Sequence, residues 1–163
     1  MAEEKPLKEI VVEKEEAVFW MDRFGRWHND GGPFEHKKII DYFNSAIRRD
    51  ENGYFLYQAW DETIEKVYFK HEDTPLFVVD VRMGEPMELV LNTRESVSLV
   101  PADLFVCQDQ LYMARGDERL KFTDRVVMKL CTQIEFDGKR YAFVTEHGRR
   151  EIPEYEPPLK HFK

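Results

Sequence analysis

Apolar residues in this chain fall into short alternating runs, broken by two stretches at helical spacing. Phe55, Tyr57 and Ala59 alternate with Leu56, Gln58 and Trp60, and Val67 and Phe69 flank Tyr68. Met87-Glu88-Leu89-Val90-Leu91 alternates in the same way, and Val97-Ser98-Leu99 follows a turn. Such period-two runs predict half-buried strands. Pro75-Leu76-Phe77-Val78-Val79 reads as a more deeply buried strand. The helical stretches run from Glu35 to Arg48 and from Thr123 to Ile134. Ile39, Ile40, Phe43 and Ile47 mark the apolar face of the first, and Val126, Val127, Leu130 and Ile134 that of the second. Thr123 stands where a helix cap is expected.

Each helical stretch lies between hairpin signals, in the same order in both halves. Residues 17–57 read as strand Ala17–Met21, a turn at Asp22-Arg23-Phe24-Gly25, strand Arg26–His28, helix, then Gly53–Tyr57. Residues 103–144 read as strand Leu104–Cys107, a turn at Gln108-Asp109-Gln110, strand Leu111–Met113, helix, then Tyr141–Val144 after the hairpin signal Asp137-Gly138. This predicts an α+β fold of two repeated modules, each an antiparallel β-sheet with one helix packed on it. The modules are expected over residues 17–84 and 85–152, joined near Gly84-Glu85-Pro86, with Phe43 and Leu130 both buried. Residues 1–16 read as a mobile arm whose Ile10-Val11-Val12 adds an edge strand. Residues 153–163 read as a Pro-rich tail.

Composition narrows the function classes. The chain has 163 residues, 42% of them hydrophobic, enough for a packed interior. Its net charge of −8 disfavours nucleic acid, because the basic runs Ile47-Arg48-Arg49 and Gly148-Arg149-Arg150 are each followed at once by an acid. No apolar run is long enough to span a bilayer, and the acidic start lacks a secretory pattern, so a cytoplasmic protein without membrane partners is expected. Cys107 and Cys131, the two cysteines, sit in apolar stretches and are expected to be buried thiols. Homo-oligomerisation is left open.

The stretch Phe24-Gly25-Arg26-Trp27-His28-Asn29-Asp30-Gly31-Gly32-Pro33-Phe34, the helix to Arg48-Arg49 and Asp50-Glu51-Asn52-Gly53-Tyr54-Phe55-Leu56 resemble the opening of the uncharacterised bacterial family DUF1285. Pro75–Val79 and Leu91-Asn92-Thr93 resemble its middle, and Leu111–Arg115 through the second helix a diverged version of its end. The resemblance implies a bacterial, two-module α+β protein with a ligand cleft between the modules. It implies no catalytic residues.

Candidate chemistry concentrates in two segments. Gly31-Gly32 leads towards a helix, where loop amides and the helix N-terminus bind anions. His28 and Asn29 could add donors there, and Trp27 a stacking face. Arg94, in Asn92-Thr93-Arg94, could clamp an anionic group in bidentate fashion. The expected ligand-binding set is therefore Trp27, His28, Asn29, Gly31, Gly32, Asn92, Thr93 and Arg94, around a small anion held between the modules. Against each stands a bland reading: core for Trp27, entry-turn glycines, and an exposed Arg in an ordinary turn. His28, Asp30 and His36 lack the spacing of a metal motif, so neither metal nor cofactor is expected. Neither cysteine sits where a thiol is activated, and no acid pair stands out. The absence of a catalytic motif favours a non-catalytic ligand-binding, regulatory or signalling role. The alternatives are a small hydrolase or transferase using His28 and Asp30, and a protein-interaction module using a strand edge.

Overall fold

The computed structural model describes Glu3 and residues 5–162. It divides into two compact units, one running to Pro75 and one beginning at Leu76, ahead of the join expected at Gly84-Glu85-Pro86.

The N-terminal unit holds β1 (Lys8–Val12), β2 (Phe19–Met21), β3 (Trp27–Asn29), β4 (Gly32–Pro33), α1 (Lys37–Ser45), β5 (Ile47–Asp50), β6 (Gly53–Trp60), β7 (Thr63–Tyr68) and β8 (Lys70–His71). These strands form two sheets, ordered β1-β7-β6-β5 and β4-β3-β2-β8. Ile10-Val11-Val12 does add an edge strand, in parallel with β7. The unit's core is aromatic. Phe19, Phe43 and Phe69 meet Trp27 at ring separations of 4.9–5.8 Å, and the indole Nε1–H donates to Asn44 Oδ1 at 2.8 Å.

The C-terminal unit holds β9 (Phe77–Arg82), β10 (Glu88–Leu91), β11 (Ser96–Ser98), a 3-10 turn (Pro101–Asp103), β12 (Leu104–Cys107), β13 (Gln110–Arg115), β14 (Glu118–Phe122), α2 (Asp124–Lys129), β15 (Ile134–Phe136), β16 (Tyr141–Thr145) and β17 (Gly148–Ile152). A six-stranded sheet runs β11-β10-β9-β14-β13-β12, and a three-stranded one β15-β16-β17. Residues of the expected tail pack back on this unit. Val106 N–H donates to Pro153 O, Tyr155 N–H donates to Val106 O, and Phe105 stacks between Tyr112 and Phe162.

The fold is α+β, with corrections to the sequence reading. Three of the four sheets are mixed rather than purely antiparallel, since β1–β7, β2–β8 and β9–β14 pair in parallel, while β15-β16-β17 is antiparallel as expected. Both helices are shorter than expected. The first stops at Ala46, and Ile47 opens β5 opposite Leu56. Ile47 continues an i, i+4 series from Ile39 and Phe43, but a β-branched residue fits a strand pairing equally well. Ile39 is exposed, and Phe43 is half-buried against Phe19, Trp27 and Phe34 rather than fully buried. In α2, Val126 and Leu130 are wholly buried as expected, while Ile134 belongs to β15. Thr123 does precede α2, but its hydroxyl donates to Val78 O at 3.0 Å and so fastens the helix start to β9 instead of capping it. Lys129 Nζ donates to Asp80 Oδ1 at 2.6 Å, on the same strand.

The cysteine expectation is corrected for one residue. Neither forms a disulfide; Cys107 is buried in β12 and Cys131 is exposed. α2 ends at Lys129 with Leu130 turned inward, which leaves the next residue outside. A thiol reagent such as DTNB is therefore expected to modify Cys131 on the order of a hundredfold faster than Cys107, whose reaction waits on local opening. Equal rates for the two thiols, resolved with Cys131→Ser, would contradict this packing.

Candidate functional site

The residues singled out in the sequence divide between the units. His28 and its neighbours lie in the N-terminal unit, Asn92–Arg94 in the C-terminal one. Trp27 is 1% exposed and its ring is enclosed by Phe19, Phe43 and Phe69, so it offers no face to a ligand. His28 and Asn29 are strand residues, and Gly31-Gly32 forms the turn into β4 rather than a helix entry. Gly32 has φ 104°, which glycine adopts without strain. The Gly31 amide is taken by Asn29 Oδ1 at 2.8 Å, and α1 begins only at Lys37, so loop amides and helix N-terminus are not one anion cradle.

His28 has a different partner from the one the sequence suggested. Its Nε2 lies 2.7 Å from Asp22 Oδ2, and its ring stacks on Trp20 at 4.3 Å. Asp30 is exposed in the turn. Asp22 is buried and accepts the backbone N–H groups of Phe24 and Arg26 at 2.8 and 2.9 Å. Burial opposes ionisation of Asp22. The bonds from His28, Arg26 and Phe24, with the nearby Arg26 charge, outweigh it and hold the carboxyl below its ordinary range. Among the described residues, no group of three or more His, Cys, Asp or Glu side chains is arranged to hold a metal.

In the C-terminal unit, Asn92 ties two strands together. Its N–H donates to Phe77 O and its Oδ1 accepts from Phe77 N–H. Thr93 is buried and its hydroxyl donates to Glu95 Oε1 at 3.1 Å. Arg94 has φ 74°, a left-handed turn conformation, and its side chain is exposed. Of the three, Arg94 alone is exposed, Asn92 being half-buried and Thr93 buried.

Sequence reasoning missed a cleft of about 710 Å³ in this unit, lined by Gly84–Met87, Leu99, Pro101, Thr132, Gln133 and Phe143–His147. Its floor is apolar. Leu99 and Phe143 are buried, and Leu99 N–H donates to Met87 O, which holds the β10 and β11 flanks together. One wall is pinned by the bond from Val144 N–H to Gln133 O at 2.7 Å. The rim is polar. The turn Glu146-His147-Gly148 joins β16 to β17, and Gly148 at φ 133° lets the strand reverse directly after His147. Thr145 Oγ1 accepts from His147 N–H, and His147 Nε2 meets Glu85 Oε1, so two turns far apart in sequence close on each other at the mouth. A smaller cleft of about 350 Å³ adjoins it, sharing Pro101, Phe143, Thr145 and His147 and adding Arg149 and Arg150. A cleft of this size with an apolar floor and a few polar rim groups suits a small molecule.

The folding pattern, small mixed sheets with a short helix in each unit, defines an α+β class that solved proteins share. The structure resembles a DUF1285 family protein from Silicibacter pomeroyi DSS-3, with TM-score 0.60 and 16% identity over 93% of this chain and 89% of that one. It also resembles a DUF1285 family protein from Shewanella baltica OS155, with TM-score 0.52 and 17% identity over 73% of this chain and 94% of that one. At these identities the likeness is one of fold. No protein-family model and no curated protein matches the sequence. No helix among the described residues is long and apolar enough to cross a membrane.

Proposed function

We propose that this protein is a non-catalytic binder of a small, partly apolar molecule, held in the cleft of the C-terminal unit. The observation that supports the reading is the combination of a 710 Å³ volume with a floor of Leu99, Phe143 and Met87 and a polar rim of Thr132, Gln133, Thr145 and the Glu85–His147 pair. The rim groups come from three separate turns, which suits recognition better than chemistry. The near neighbour of the His147 ring is a carboxylate, that of Glu85. Ligand-dependent regulation is the role this reading favours. The expected ligand site around Trp27, His28–Gly32 and Asn92–Arg94 gives way in this proposal to the cleft, because most of its donors are already engaged in local bonds.

The halves also support a common origin. A three-stranded antiparallel meander (β2-β3-β4), a helix and a second meander (β5-β6-β7) run in the same order as β12-β13-β14, α2 and β15-β16-β17. We read them as diverged copies of one module, of which the second acquired the cleft.

A thermal-shift screen of small aromatic and aliphatic metabolites tests the binding reading. A ligand at a hundred times its Kd is expected to stabilise the native state by about 2.7 kcal/mol, a shift of several degrees. Met87→Trp, which fills the cleft from its half-exposed wall, is expected to abolish the shift while leaving the ligand-free melting temperature nearly unchanged. If hits persist undiminished in Met87→Trp, they bind elsewhere and the cleft is not the site.

A further inference from the structure

We infer that the ligand carries a carboxylate, and that this group is received by Arg150 in the smaller cleft while the apolar body lies in the larger one. This rests on the reading of the larger cleft as a binding site and specifies the chemistry of its ligand.

Four observations carry it. The two clefts are contiguous, since Pro101, Phe143, Thr145 and His147 line both, so one elongated molecule can occupy them together. Phe143 is paired with Arg150 across the β16–β17 ladder. Directly opposed residues of an antiparallel pair project to the same face, so the guanidinium emerges beside the ring that floors both clefts. The charges are also segregated. The larger cleft has Glu85 and Glu146 at its mouth, whereas the smaller is lined by His147, Arg149 and Arg150 with no carboxylate. Glu85 and Glu135 offset His147 and Arg149 there, so in a chain of net charge −8 the recess draws an anion through Arg150. Lastly, Arg149 is paired with Glu135 at 3.5 Å, on the face of β17 opposite to that of Arg150. That leaves Arg150 as the cation aimed beside Phe143, and a planar guanidinium matches a carboxylate in bidentate fashion.

The acids at the other mouth set the direction of binding. A carboxylate placed there would meet Glu85 and Glu146, so the molecule enters with its acidic end towards β17. Ligands of this class are short fatty acids and arylalkanoic acids.

The experiment compares 1-naphthaleneacetate and decanoate with their primary amides, which keep the shape and remove the charge. Binding is followed by amide chemical-shift changes in the full chain, wild type and Arg150→Gln. Arg150 is exposed, so the variant is expected to fold normally. Each carboxylate should bind about tenfold more tightly than its amide, and added salt should narrow the gap. Arg150→Gln should bring the carboxylate down to the affinity of the amide and leave the amide unaffected. If acid and amide bind equally in wild type, or Arg150→Gln weakens both alike, the carboxylate assignment is wrong while the cleft remains a binding site. If neither acid nor amide perturbs residues of the cleft, both the assignment and the binding reading fall.

Discussion

Trp27→Ala is expected to destabilise the N-terminal unit by about 3–5 kcal/mol, the range for removing a large buried aromatic side chain. The ring is 1% exposed and touches Phe19, Phe43 and Phe69 edge-on, so nothing nearby is free to collapse into the vacated volume. Three of these rings come from β2, β3 and α1, and Phe69 lies between β7 and β8. The indole thus joins strands and helix in one cluster. Its N–H bond to Asn44 Oδ1 fixes the helix register, and the truncation would strand that amide as well. Trp27→Phe separates the two effects. It keeps most of the apolar contact and loses the hydrogen bond, so its cost should be nearer 1–2 kcal/mol. Urea unfolding followed by far-UV circular dichroism measures both, with the transitions of the two units fitted separately. A loss below 1 kcal/mol for Trp27→Ala would mean that the residue does not organise the core. The result also bears on function. A tryptophan kept for ligand stacking would tolerate truncation with little loss of stability.

The strand at 87–91 was legible because it buries one face and wets the other, and alternation records that directly, whereas at 55–60 the residue types alternate but burial does not, since Phe55 and Leu56 are both buried and Tyr57–Trp60 are exposed. The ends of the helices were not. Ile47 and Ile134 sit at helical spacing from the residues before them, yet both open strands, since an apolar β-branched residue satisfies either period. Two strands were hidden by charge. In β14, Lys121 is buried in mid-strand with its ammonium over the rings of Phe77 and Tyr112, so the sequence Glu118–Phe122 reads as polar although it lies inside the six-stranded sheet. In β17, Arg149 and Arg150 read as a basic run, whereas they occupy an edge strand, where charge guards against unwanted pairing. The cleft had no local signature at all. Its walls come from segments around residues 85, 99, 133 and 145, each an unremarkable turn or strand by itself. The His28 partner was closer to legible. Trp20 and His28 are directly opposed across β2 and β3, and Asp22 is two residues beyond Trp20, so the three share one face of the hairpin by parity alone.

That shared face gives Asp22 its expected effect. Asp22→Ala should cost about 2–3 kcal/mol, because a buried carboxylate that accepts from Phe24, Arg26 and His28 organises the whole turn from Asp22 to Arg26. Bonds to a charged acceptor are worth more than neutral ones, and both backbone donors would lose their partner. Asp22→Asn isolates the charge. Its carbonyl oxygen can still take the two backbone N–H groups, so the turn survives and the cost should fall to about 1 kcal/mol at neutral pH. The difference between wild type and Asp22→Asn then depends on pH in a direction the structure fixes. Burial works against the ionised form, but the His28 bond, the two backbone bonds and Arg26 prevail, so the folded state holds the Asp22 carboxyl below its ordinary value. A depressed folded pKa means that the unfolded chain takes up the proton first. The stabilisation is therefore complete above the unfolded value of about 4 and is lost as pH falls from there through the folded value. Wild type should lose its advantage over Asp22→Asn across that acidic window. Unfolding free energies of the two proteins measured from pH 2 to 8 give the comparison. An advantage that instead grew on acidification would mean that Asp22 is easier to protonate folded than unfolded, and that burial rather than its hydrogen bonds governs this carboxylate.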